Sequence, residues 1–159
     1  MPNTPYEQPL IDDFLCALRR VQDPDLSIQC IHNQSCRCRS LADVEFTARS
    51  GQRWAIEAKY GAPRNRPNEV HKLFGDLLRE TGRLRETGRD HRQNCKIGLL
   101  LHQDTENDFR CGVSRIDRDK FIQFGCLIPV EAVFVFSPTY VTRKAWVDFY
   151  DGVCGTYVR

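Results

Sequence analysis

The chain reads as a single mixed α/β domain, and three features of the sequence predict it. A helical apolar stripe lies near the N-terminus, two short segments alternate apolar and polar at period two across a tight turn, and a second helical stripe leads into a continuously apolar run. The implied order is helix, three strands, helix, strand, with a further strand and helix towards the C-terminus, which makes a mixed central sheet flanked by helices.

The first helix is expected over 6–22, where Leu10, Phe14, Leu18 and Val21 fall three and four apart, and Pro24 marks its end. A strand follows over 26–31 and a polar turn over 33–40. The period-two segments are 42–47 and 53–60. Residues 61–67, with two prolines and two arginines, read as a loop. Asn68 can cap a helix running to about Gly88, with Val70, Leu73, Leu77 and Leu78 as its buried face. Residues 96–102 form a short apolar strand, 103–110 a polar loop, 130–136 a strand and 139–150 a short helix.

The 159 residues, 41% of them hydrophobic, suffice for one core, so one domain spanning 1–159 is expected. Its nucleus is about 6–103, and 104–159 is a C-terminal extension for specificity or dimerisation, with 130–136 as a dimer interface. No run approaches the roughly 20 apolar residues of a membrane helix. The first nine residues have neither a basic start nor an apolar centre, so a cytoplasmic protein is expected. The eight cysteines are then expected to be thiols. A formal charge of +2 does not by itself indicate nucleic acid, but arginine outnumbers lysine 18 to 5, which tilts towards a polyanionic ligand.

The chemistry lies in the period-two segments. With Arg49-Ser50-Gly51 as the connection and Gly51 left-handed, opposed residues have numbers adding to 100. Ala42, Val44 and Phe46 then face Ala58, Ile56 and Trp54, and a slip of one residue would set apolar against polar side chains. On the other face Asp43 falls across from Glu57, beside Glu45 and Lys59. Directly opposed like charges destabilise a strand pair, and one lysine compensates only one of them. A divalent cation resolves the conflict, since magnesium is held by one or two carboxylates together with waters and phosphates. The plain alternative is a solvated polar face, but a sheet between helices is usually covered on both sides, which makes an exposed acid pair there less natural.

These residues resemble the PD-(D/E)XK, or restriction-endonuclease-like, nuclease superfamily, over about 6–103. That family carries an aspartate on the second strand of a meander and an acid-x-lysine triplet on the third, matched here by Asp43 and Glu57-Ala58-Lys59. Ala42 stands where many members have proline. The resemblance implies a DNA endonuclease using Mg2+ or Mn2+, with Asp43, Glu57 and the Ala58 carbonyl as metal ligands and Lys59 orienting or deprotonating the nucleophile. It also implies an acid from the first helix, for which Glu7 is preferred over Asp12 and Asp13. Glu45 would be an outer acid. Lys72, with His71, is the expected phosphate contact on the second helix, and Arg64 and Arg66 in the preceding loop can grip a backbone. RNA is not excluded as substrate, and a homodimer would suit cutting both strands of a duplex.

Other constellations carry less. Cys30, His32, Cys36 and Cys38 are four soft ligands within nine residues, but their one-residue spacings would strain a closed zinc site, and thiols in a strand and turn are the simpler reading. No local context marks an activated cysteine. Arg79, Arg83, Arg85, Arg89 and Arg92 are interleaved with Glu80, Glu86 and Asp90, a mixture that a salt-bridged solvent face explains as well as a DNA track does. The rival function is a nucleic-acid- or protein-binding module that kept the fold without cleavage. Retention of Asp43, Glu57 and Lys59 together favours the enzyme.

Overall fold

The computed structural model describes residues 7–38, 41–60, 66–86 and 95–159, and within residues 66–86 the side chains of 68–79. The elements in chain order are α1 (Glu7–Leu18), β1 (Ile28–Asn33), β2 (Val44–Ala48), β3 (Arg53–Lys59), α2 (Arg66–Glu86), β4 (Cys95–His102), α3 (Gln103–Val113), α4 (Arg118–Leu127), β5 (Val130–Ser137), β6 (Tyr140–Lys144), α5 (Trp146–Asp151) and β7 (Thr156–Tyr157). Among the described residues the strands form one seven-stranded sheet in the order β1-β2-β3-β4-β5-β6-β7. Pairing is parallel for β3 with β4 and β4 with β5, and antiparallel elsewhere, so the sheet is mixed. No described helix is long and apolar enough to cross a membrane.

Each face of the sheet carries its own core. Phe46, Trp54, Ile56, Leu100 and Phe134 pack with Leu10, Ile11, Phe14, Leu15 and Leu18 of α1. On the opposite face Leu99, Leu101 and Val133 meet Val70, Leu73 and Leu77 of α2, Phe109 and Val113 of α3, Phe121 of α4, and Trp146 and Phe149 of α5. Burial on both sides explains why residues 97–101 of β4 are an unbroken apolar run. It also means that the polar face of β2 and β3 lies under helices.

The β2–β3 register is the expected one: Val44 opposes Ile56, Glu45 opposes Ala55, Phe46 opposes Trp54 and Thr47 opposes Arg53. Gly51, at φ 88°, closes the turn by donating its amide to the Ala48 carbonyl at 2.9 Å. A side chain there would meet the left-handed conformation without glycine's freedom.

Several expectations are corrected. Helix α1 stops at Leu18, short of Pro24. Asn68 lies inside α2 rather than capping it, and Leu78 is 55% exposed. At 100° per residue Leu78 points roughly 105° away from the centre of the stripe of Val70, Leu73 and Leu77. Residues 103–110 are not a loop but most of α3. The His102 ring accepts the Asp104 amide at its N-terminus, and Thr105, Phe109 and Val113 bury one narrow stripe. Residues 139–150 divide into strand β6 and helix α5, because the Pro138-Thr139 turn folds Tyr140–Lys144 back against β5. Nor is 130–136 a surface for dimerisation: β5 lies inside the sheet between β4 and β6, with most of its side chains buried. Strand β7 and helix α4 were not anticipated.

Candidate active site

The site gathers where β3 ends and β2 begins. Because Asp43 directly precedes β2, the register carries it opposite Glu57. Asp43 is 6% exposed, Glu57 2%, Lys59 6% and Glu7 6%, so all four polar groups are buried. The Ala58 amide donates to Asp43 Oδ2 at 3.0 Å. Asp43 and Glu57 are thus two buried carboxyl groups facing each other across the strand pair, and the like-charge conflict implied by the register is present.

Helix α1 delivers Glu7 from its first turn. The adjacent Gln8 anchors that turn, donating to the Gln34 carbonyl at 2.8 Å and accepting the Cys36 amide at 3.2 Å. Burial, then Asp43, Glu69 and Asp76, push the Glu7 carboxyl up to about 7 against the opposing pull of Lys59. Burial likewise raises Asp43, outweighing the Ala58 amide and Lys59. The Cys36 thiol is pushed up by burial and then by Asp43 and Glu7, which sets it against the same acids.

Lys59 does not close on Asp43 or Glu57. Its Nζ donates to Asp76 Oδ2 of α2 at 2.5 Å. Burial works against the ammonium, but Asp76, Glu7 and Glu57 overcome it and hold Lys59 above the ordinary lysine range. Asp76 was not singled out from sequence. Glu69 and Asp76 flank the stripe Val70-Leu73-Leu77 at a spacing of seven residues, and that pattern could have identified them.

The other expected residues are placed elsewhere. His71 and Lys72 are exposed on the outer side of α2, where Lys72 Nζ pairs with Glu69 at 3.4 Å. Glu45 pairs with Arg53 at 3.2 Å and accepts the Ala42 amide at 3.2 Å, a structural use. Arg64 lies outside the described residues, as does the side chain of Arg66. Cys30 and His32 lie on edge strand β1, with His32 Nε2 bonded to Thr47 Oγ1 at 2.8 Å. None of the eight cysteines forms a disulfide.

Among the described residues no group of three or more His, Cys, Asp or Glu stands at metal-ligating spacing. The donor set nevertheless suits a hard divalent cation. Glu7, Asp43 and Glu57 are carboxyl groups brought together in a buried place, the buried lysine beside them, Lys59, is bound to a fourth acid, and Glu7 and Asp43 are raised by their burial. No protein-family model matches the chain, and no curated protein or solved structure does either.

Proposed function

We propose that this chain is a divalent-metal-dependent endonuclease that hydrolyses DNA phosphodiester bonds on a core of the PD-(D/E)XK kind. The observation that carries the proposal is the burial of Glu7, Asp43 and Glu57 around Lys59 at one end of the sheet. Burying several acids costs stability unless a ligand uses them. The order α1-β1-β2-β3-α2-β4 and the position of Glu57-Ala58-Lys59 on the third strand support the same reading.

Asp43, Glu57 and Glu7 would hold Mg2+ or Mn2+ through their carboxylates, with the Ala58 carbonyl as a further ligand. When bound, the metal supplies Lewis acidity at the phosphate and a more acidic water. Lys59, its ammonium held on Asp76, would donate hydrogen bonds to the nucleophile or to a phosphate oxygen and balance charge there. Asp76 positions that ammonium through the bond to Nζ. The exposed Lys72 and His71, and Arg64 and Arg66 ahead of them, would contact the phosphate backbone, where charge adds affinity without reading sequence.

The test is plasmid cleavage with Mg2+, with Mn2+ and with EDTA, comparing wild type, Asp43→Ala and Lys59→Ala. Cutting that requires the metal and is lost in both variants is expected. Failure of the wild type to cut plasmid, linear duplex, single strand, branched junction or RNA, together with no calorimetric binding of either metal, would overturn the proposal in favour of a binding module.

A further inference from the structure

A cavity of about 680 Å³ opens between the C-terminal half of α1, the end of β4, the β5–β6 turn and the last residues of the chain. Its size is that of a ligand pocket. Arg20, His102, Phe136, Tyr140, Tyr157 and Arg159 line it, with Asp13 as the opposing charge. Tyr140 and Tyr157 meet edge to face, with centroids 5.1 Å apart, yet they are 44% and 59% exposed. Large rings left in water beside two arginines are not accounted for by core packing.

The cavity's position connects it to the acid cluster. It lies where the parallel strands β3, β4 and β5 all finish, the end at which open α/β sheets bind ligands. His102, at the end of β4, packs against Tyr60 at 5.2 Å and Phe136 at 6.2 Å, and Tyr60 directly follows Lys59. Helix α1 makes a second link, with Glu7 at the acids and Cys16 at the cavity, where Arg20 follows just beyond the helix end. Between Glu7 and Cys16 the helix advances about 14 Å. Strands about 4.8 Å apart put β4 to β7 roughly 5 to 20 Å from β3, which a few nucleotides span.

We infer that this cavity takes unpaired bases of the nucleic-acid substrate, so that the preferred substrate carries a single-stranded stretch beside the cleaved bond. This rests on the nuclease reading for the cleaved bond, but not for the binding itself. Bases stack on exposed aromatic rings whatever their sequence, while arginines follow the backbone. A continuous duplex, whose bases already stack on each other, has little to gain from Tyr140 and Tyr157.

Fluorescence anisotropy in EDTA with a labelled oligothymidylate and with a blunt duplex tests this, using wild type, Tyr140→Ala and Tyr157→Ala. Both tyrosines are exposed, so the variants should fold, and circular dichroism checks that they do. Each loss should weaken oligothymidylate about tenfold and duplex by less than about twofold. Bound oligothymidylate should also slow alkylation of Cys16 by iodoacetamide and leave Cys111 and Cys126 unchanged. No oligothymidylate binding by wild type, equal losses on both ligands, or an unprotected Cys16 would overturn the inference. A protein that binds as expected but cuts nothing would keep the cavity assignment and lose the nuclease. A protein that cuts while the tyrosine variants bind normally would do the reverse.

Discussion

Replacing Glu7 by glutamine should stabilise the protein at alkaline pH and do little in acid. The carboxyl rises from its ordinary 4.5 to about 7 on folding, chiefly because burial penalises its charge. An acid raised in this way binds its proton more tightly in the native state than in the unfolded one. Stability is therefore intact below about 4.5, falls as pH rises through about 7, and levels off above that. At about 1.4 kcal/mol per pH unit the loss amounts to about 3 kcal/mol. Glu7→Gln keeps the shape and removes the charge, so urea denaturation should show the variant about 2–3 kcal/mol more stable than wild type at pH 8.5 and nearly equal to it at pH 4.5. Mg2+ should narrow the alkaline gap, because it stabilises the ionised carboxylate that only wild type has. A stability difference independent of pH would refute the reasoning, since it would place Glu7 in water or in a neutral hydrogen bond.

Two further outcomes follow from the same geometry. Asp76→Asn removes the strongest charge sustaining Lys59, so the lysine should titrate at lower pH, as read by NMR of labelled lysine; an unchanged titration would show that Glu7 and Glu57 suffice. Gly51→Ala has open space for its methyl group, so its cost is that of the left-handed backbone alone, about 1 kcal/mol by urea denaturation. A much larger loss would mean that the turn sets more of the β2–β3 register than the φ angle suggests.

The hairpin was legible because two local signals agreed. Period-two alternation admitted one register, and Gly51 supplied the turn that produces it. The apolar stripes of α1 and α2 and the runs of β4 and β5 were legible for the same reason, although their ends were not. Helix α3 was missed because a helix that buries only Thr105, Phe109 and Val113 is polar along most of its length, and so resembles a loop. Strand β6 was missed because Tyr140–Lys144 is extended through pairing with β5, which no propensity within the segment reports.

The sequence by itself determined which residues oppose one another across the hairpin, and hence that Asp43 meets Glu57, because pairing there depends on neighbours a few positions away. Only the tertiary structure decided that this face is buried, that Lys59 turns to Asp76 rather than to the acid pair, that His71 and Lys72 face outward, and that 130–136 is interior to the sheet. Those outcomes depend on how α2 sits across the sheet and on the two core faces that hold it there. The energy that places a helix comes from surfaces distant in the chain, and a local pattern records which residues can be buried but not what they will be buried against.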